Sequence, residues 1–140
     1  MNWHSASIEV RTTGKGLYDI TEKIQIRLSE WNVMEGMCFL FLPHTSASLL
    51  TSENWDPSAR NDIETFMERL VPEKAAWYTH TLEGSDDATS HIRAMLSGSN
   101  LFVPVDDGRL SLGTWQGIYL FEHRAPAHVR KILLRVMDFR

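Results

Sequence analysis

Six histidines occur in this chain of 140 residues, and three stand where regular structure breaks or a buried face begins. His44 follows Pro43, His80 precedes the turn sequence EGSDD, and His91 lies in the apolar-periodic stretch beyond it. Neutral imidazoles that converge from separate segments can bind Zn²⁺ or a similar divalent ion and leave a position open for water or substrate. Their spacing is non-local, with no HxxxH or HExxH. Asp87 and His91 make the one local pair. At i and i+4 on a helix they share a side and can face one ion, unless Asp87 serves only to cap that helix. A second group is acidic and amidic: Glu53, Asn54, Asp56, Asp62 and Glu122. Such residues suit Mg²⁺ held together with substrate phosphates, or general acid/base work, although Asp56 can instead cap a helix and Glu53 can be a plain surface charge. Thr45, Ser46 and Ser48 beside His44 offer hydroxyls for hydrogen bonding to a ligand. The chain has no GxSxG elbow to make one of them a nucleophile. It also has no GxxxxGK or GxGxxG loop for phosphate, which leaves Arg130 and Lys131 after HRAPAH as the local basic pair.

The elements that must position these groups centre on Leu110–Glu122, LSLGTWQGIYLFE. It reads as one strand inside a sheet, with Leu110, Leu112, Ile118 and Leu120 on one face and Trp115, Tyr119 and Phe121 on the other. Gly113, Thr114, Gln116, Gly117 and Glu122 are set into it, and a buried polar group without a partner costs about 1–3 kcal/mol. The strand is therefore either bulged, with its polar groups satisfied by neighbouring loops, or the floor of a polar site. Before it, Trp3–Thr12 alternates as a half-buried strand. Asp19 or Thr21 can cap a helix carrying Ile20, Ile24 and Leu28, and Met37–Leu42 is an apolar strand ended by Pro43. Asp56-Pro57 starts a second helix with Ala59, Ile63, Phe66, Met67 and Leu70 on its apolar face and Asp62 at the border. Ala75–Thr81 can be a short strand. Asp86 or Asp87 caps a third helix whose apolar face is Ala88, Ile92, Met95 and Leu96, with His91 at the border and Gly98 at the end. Leu101–Val105 and the Asp107-Gly108 turn lead into the central strand, and Val129–Phe139 returns as its partner. The expected fold is α+β, mainly an antiparallel β-sandwich with about three flanking helices, in one domain over 1–140.

Composition sets bounds on function. Lys plus Arg number 14 against 18 Asp plus Glu, a net charge of −4, which argues against a nucleic-acid surface or an anionic-membrane surface. The single cysteine, Cys38, sits in the apolar run MCFLFL and reads as a core residue, not a reactive thiol. No signal-peptide pattern or membrane-length apolar stretch is present, so a reducing cytoplasm is the expected location.

Four segments taken together, HTSASL, ENWDP with Asp62, THTLEGSDD with His91, and GRLSLGTWQGIYLFEHR, resemble the YjbQ-like family, which is associated with secondary thiamine-phosphate synthase activity. The resemblance covers almost the whole chain. It implies a compact α/β fold with a large antiparallel sandwich, assembly into a homotrimer, and a polar site able to hold a metal. That site would be built from His44, Thr45, Asn54, Asp56, Asp62, His80, His91, Thr114, Gln116 and Glu122. The chain departs from the family pattern at Ser52, where many members have Asn, at Trp55, where a small residue is usual, and at Ala125-Pro126-Ala127, where Gly-Pro-Arg is common. Without that arginine the loop is not expected to supply a phosphate clamp, though Arg130 remains. The resulting expectation is a metal-assisted enzyme acting on a small phosphorylated or heterocyclic metabolite. The nearest named reaction joins hydroxymethylpyrimidine diphosphate to thiazole phosphate with release of pyrophosphate. His44, His80 and His91 would hold Zn²⁺ or Mg²⁺. Asp62, Gln116 and Glu122 would position substrate or move protons, and Thr45, Ser46, Asn54, Asp56, Thr114, Trp115 and Arg130 would bind it. The alternatives are a metal- or metabolite-binding module without turnover, and a metal-dependent phosphate-ester hydrolase.

Overall fold

The computed structural model describes residues 1–140. Its elements run β1 (Asn2–Thr12), β2 (Gly16–Asp19), α1 (Thr21–Glu30), β3 (Gly36–Phe41), β4 (Ala47–Glu53), α2 (Pro57–Leu70), α3 (Asp87–Ser97), β5 (Asn100–Asp106), β6 (Arg109–Leu110), β7 (Gln116–Glu122) and β8 (His128–Asp138). Five strands form an antiparallel sheet in the order β1-β8-β3-β5-β6, and three form another in the order β2-β7-β4. Alternation explains how they meet. Ile8 and Val10 of β1, Cys38 and Leu40 of β3, and Ile132 and Leu134 of β8 turn to the same interior as Leu49 of β4 and Ile118 and Leu120 of β7. Ile24 and Leu28 of α1 complete that single core cluster. Burial pushes the Cys38 thiol up to about 12, so it stays protonated in the core.

Several local expectations hold for stated physical reasons. The Asp56 carboxylate accepts from the Ser58 amide at 2.9 Å and caps α2, with Pro57 at the first helical position. Asp107 and Gly108 both have positive φ, 50° and 77°, which is the backbone a two-residue hairpin turn demands between β5 and β6. Gly36 faces Asp138 across the β3–β8 ladder so closely that a Cβ there would overlap the Met137 carbonyl oxygen.

Other expectations are corrected. Leu110–Glu122 is not one strand. Leu110 ends β6, the chain turns through 111–115, and only Gln116–Glu122 is the central strand of the small sheet. Its partners are β2 and β4, not the last strand, which lies between β1 and β3 in the other sheet. HRAPAH is therefore a crossing between sheets. The hydroxyl-rich Ala47–Glu53 is a strand although its polar pattern does not announce one, and Ala75–Thr81, expected as a short strand, contains none. On α2, Phe66 and Leu70 face solvent, and no residue of the helix is fully buried.

The third helix is reversed. Met95 and Leu96 are 73% and 54% exposed, while Asp87, Thr89, Ser90 and Arg93 are buried. Hydrogen bonding decides this orientation. Arg93 donates from Nε and Nη2 to the Val71 carbonyl at 3.1 and 2.8 Å, Thr89 donates to the Pro72 carbonyl, and Ser90 to the Asp87 carbonyl. A polar face with its partners in place is stable inside, and the apolar stripe remains outside. In the same interior, His123 shares a 2.9 Å hydrogen bond with Ser48, and its Nδ1 is buried without a partner. Burial, reinforced by the nearby Arg93 charge, pushes this imidazole down to about 3.

Two outcomes are expected. Gly36→Ala should destabilise the fold by about 3 kcal/mol or more, because backbone must move to admit the methyl group; urea unfolding measures this, and a loss under about 1 kcal/mol contradicts the close approach. His123 stays neutral in the folded chain but gains a proton on unfolding below its ordinary value near 6.5. Stability should therefore be full above about pH 6.5 and fall as pH drops towards 3, by about 1.4 kcal/mol per pH unit for this one proton. His44, also held low by burial and by Arg130, adds in the same sense. His123→Gln should flatten the slope measured between pH 6.5 and 4.5, and an unchanged slope would show that the group is not the source.

Candidate metal centre

His80, Asp87 and His91 present ligand atoms that all lie within 4.8 Å of one another. The EGSDD turn delivers Asp87 to the first position of α3, and one helical turn later His91 stands above it. His80 arrives from the preceding loop. Asp87 Oδ2 is 2.6 Å from His80 Nε2 and 3.0 Å from His91 Nε2. The other His91 nitrogen, Nδ1, lies 2.8 Å from the Thr45 carbonyl oxygen. A carbonyl can only accept, so Nδ1 carries the proton, and in the neutral ring Nε2 presents a lone pair towards the carboxylate. Two lone pairs at that distance need a cation between them, either a second proton on the ring or a metal ion. Burial raises the Asp87 pKa, but the His80 hydrogen bond and the charges of His91 and Arg124 outweigh it and hold the carboxyl below its ordinary value. The carboxylate is thus ionised and ready to act as a ligand.

The surroundings are open. A cavity of about 460 Å³ lies between His91 and His44, with Thr45 and Met95 in its wall. On the other side, Trp77, Tyr78 and Ile92 line one of about 410 Å³ that reaches both His80 and His91. Lys74, Thr81 and Ser85 border a third, of about 430 Å³, also at His80.

Of the three predicted histidine ligands, the structure brings two together and places Asp87, noted as the i, i+4 partner, where His44 was expected. His44 Nε2 accepts from the Lys131 amide at 3.0 Å, which turns that nitrogen away from the cluster. Glu122 is fully buried and saturated. Its oxygens accept from Thr12 at 2.6 Å, from Arg130 Nε at 2.8 Å, from Arg130 Nη2, and from the His123 and Arg124 amides. Burial raises its pKa, but the Arg130 and Thr12 hydrogen bonds prevail and hold it low. Arg130 Nη2 also reaches Ser46 Oγ and the Ser46 carbonyl, and Nη1 lies 3.5 Å from His44 Nδ1. These three residues form a structural knot in which the Glu122 carboxylate is already fully partnered. Thr45 borders the first cavity and orients His91. Gln116, Thr114, Trp115, Asn54 and Asp56 lie at the far end of β7, about 20 Å away at the usual rise per residue. There Gln116 Oε1 accepts from the Gly113 amide, Asp56 caps α2, and Trp115 packs edge-on against Trp55. Asp62 projects from the exposed side of α2. Arg124, which no sequence motif marks, donates to Asp87 Oδ1 at 2.6 Å and to Asp86 Oδ2 at 3.1 Å. Its available signal was position: it follows the buried end of the central strand by two residues, on the side of Glu122.

Comparison with known proteins agrees with this architecture. The family model described as UPF0047 protein YjbQ-like matches residues 6–138. UPF0047 protein YjbQ of Salmonella typhimurium is 45% identical over 132 residues, covering 94% of this chain and 95% of that protein. UPF0047 protein sll1880 of Synechocystis is 41% identical over 133 residues, covering 95% and 90%. A crystal structure of a YjbQ/UPF0047 family protein from Clostridium acetobutylicum superposes with a TM-score of 0.86 at 34% identity, covering 94% of this chain and 99% of the other. That of the conserved hypothetical protein TT1486 from Thermus thermophilus gives 0.85 at 32% identity, again covering 94% and 99%. With nearly its full length matched in sequence and in fold, the chain belongs to the YjbQ-like UPF0047 family.

Proposed function

We propose that this protein is a metal-assisted enzyme acting on a small phosphorylated or heterocyclic metabolite, with thiamine-phosphate synthesis as the nearest named reaction. The observation that carries the reading is the His80–Asp87–His91 cluster, whose ligand atoms lie within 4.8 Å of one another beside open cavities, with the 3.0 Å approach of His91 Nε2 to Asp87 Oδ2 calling for a cation between them. Two imidazoles and one carboxylate suit Zn²⁺ better than Mg²⁺, which prefers an all-oxygen octahedron. A bound ion of this kind supplies Lewis-acid stabilisation of a phosphate or carbonyl oxygen, or acidifies a water. The chain's own residues supply the rest. Trp77 and Tyr78 form an aromatic wall next to His80, suited to a flat heterocycle, in the role expected of Trp115. Lys74, on the other side of His80, is an exposed cation that can meet a phosphate, whereas Arg124 and Arg130 are already committed to carboxylates. Joining two rings in this way depends on holding one against the other while charge on the leaving diphosphate is stabilised.

We further propose self-association as a homotrimer. Support comes from the large apolar side chains left in solvent, among them Phe66, Leu70, Trp77, Met95 and Phe102. No helix is long and apolar enough to cross a membrane.

Elemental analysis with native mass spectrometry of the purified chain tests both proposals, with one divalent ion per chain and a threefold mass expected. His80→Ala and His91→Ala should each weaken Zn²⁺ binding by more than about a hundredfold, while His44→Ala and Asp62→Ala stay within about twofold. Unchanged metal content in the first two variants would reject the cluster as the site. Chelator-sensitive product formation from the two thiamine precursors supports the synthase reading. A retained ion without product favours a binding module, and phosphate release from general esters favours a hydrolase.

A further inference from the structure

We propose that Arg124 fixes the way Asp87 holds a cation and, through that, the class of cation the cluster accepts; this rests on the metal-binding reading above. The Asp87 carboxylate has two oxygens with different employment. Oδ2 faces His80 Nε2 and His91 Nε2, whereas Oδ1 takes the Arg124 Nη1–H at 2.6 Å. The guanidinium cannot swing away, because Nε donates to Asp86 Oδ2 at 3.1 Å and Nη2 reaches the Glu83 carbonyl at 3.4 Å. Asp86 is anchored in turn by the Ala125 amide at 2.7 Å. Asp86 and Asp87 are both buried, and the Arg124 side chain is 17% exposed, so solvent does little to loosen the arrangement.

With Oδ1 accepting from a fixed guanidinium, bidentate chelation would have to share that oxygen with the Arg124 N–H, so Asp87 offers Oδ2 in preference. The cluster then offers three single-point donors, two nitrogens and one oxygen, which matches a small, four-coordinate ion with one position open to the cavities. Ca²⁺, which takes six to eight oxygens and uses bidentate carboxylates freely, is poorly served, and so is Mg²⁺. Removing the guanidinium releases Oδ1, lets the carboxylate chelate through both oxygens, and raises the coordination number. The same removal deletes a positive charge beside the ion, so cation binding survives but its selectivity drifts towards harder ions.

The test is to load the full chain with Co²⁺ and read its visible absorption, together with competition between Zn²⁺ and Mn²⁺. The native chain should show the intense bands of four-coordinate Co²⁺. Arg124→Met should show the weak bands of higher coordination, and its preference for Zn²⁺ over Mn²⁺ should fall about tenfold or more. Arg124→Lys, which can still donate one hydrogen bond to Oδ1, should restore most of the native spectrum. Asp86→Asn loosens the same guanidinium from its other side and should shift the spectrum in the direction of Arg124→Met; it serves as the readout if the methionine variant fails to fold. A purely structural role for Arg124 would lower the melting temperature and leave spectrum and selectivity unchanged. That result, or high-coordinate Co²⁺ in the native chain, overturns the proposal while leaving the metal site standing. No uptake of Co²⁺ or Zn²⁺ by the native chain overturns both.

Discussion

The buried ion pair between Glu122 and Arg130 is the constraint from which the rest of the molecule follows. Glu122 ends the central strand of the small sheet, and Arg130 sits on the strand between β1 and β3 of the large one, so their contact fastens the two sheets where the chain crosses between them. Two charges withdrawn from water are tolerated only if every lone pair and proton finds a partner. Here Thr12 from β1, Ser46 ahead of β4, and the amides after Glu122 supply those partners. Because the pair and its partners come from four separate segments, the knot fixes the relative position of both sheets and of HRAPAH. It thereby sets where Arg124 emerges.

From that point the candidate site is built by an inverted helix. α3 turns its carboxylates, hydroxyls and Arg93 inward and its methionine and leucine outward, which a reading of hydrophobic period cannot anticipate. The inversion gives Asp87 a protected, ionised position and still leaves both histidines within reach of solvent. His80 and His91 keep roughly half-exposed side chains, 49% and 40%, while the carboxylate between them is 7% exposed. A rigid acceptor flanked by accessible imidazoles is a suitable geometry for capturing an ion from solution.

Much of this was legible in the residues themselves. The Asp56-Pro57 helix start, the Asp107-Gly108 hairpin and the burial of Ile24 and Leu28 each depend on local chemistry, and each reads correctly from a few neighbouring side chains. What escaped is long-range. Ala47–Glu53 has Thr51 as its single β-branched residue, and its strand character comes from pairing with β7 across about 70 residues of sequence. The LGTWQGI stretch drew the site towards Gln116, yet the length of β7 separates that end from the histidines. His44 looked like a ligand because it followed a proline, and only the folded register shows the Lys131 amide already on its ring. Arg124 carried no motif at all. Its role depends on where a sheet crossing happens to place one guanidinium.

The order β1-β8-β3 has a kinetic consequence. β1 has no partner in its sheet except β8, and the ladder joins Asn2 to Asp138 and Thr12 to His128. Each rung closes a loop of more than a hundred residues, so the entropic cost falls early and the compensating contacts arrive late, which places this topology among the slow folders. Until β8 docks, an eleven-residue ribbon beginning with Asn2 and Trp3 stays unsatisfied along both edges, and the chain passes through an interval in which it can be captured by other chains.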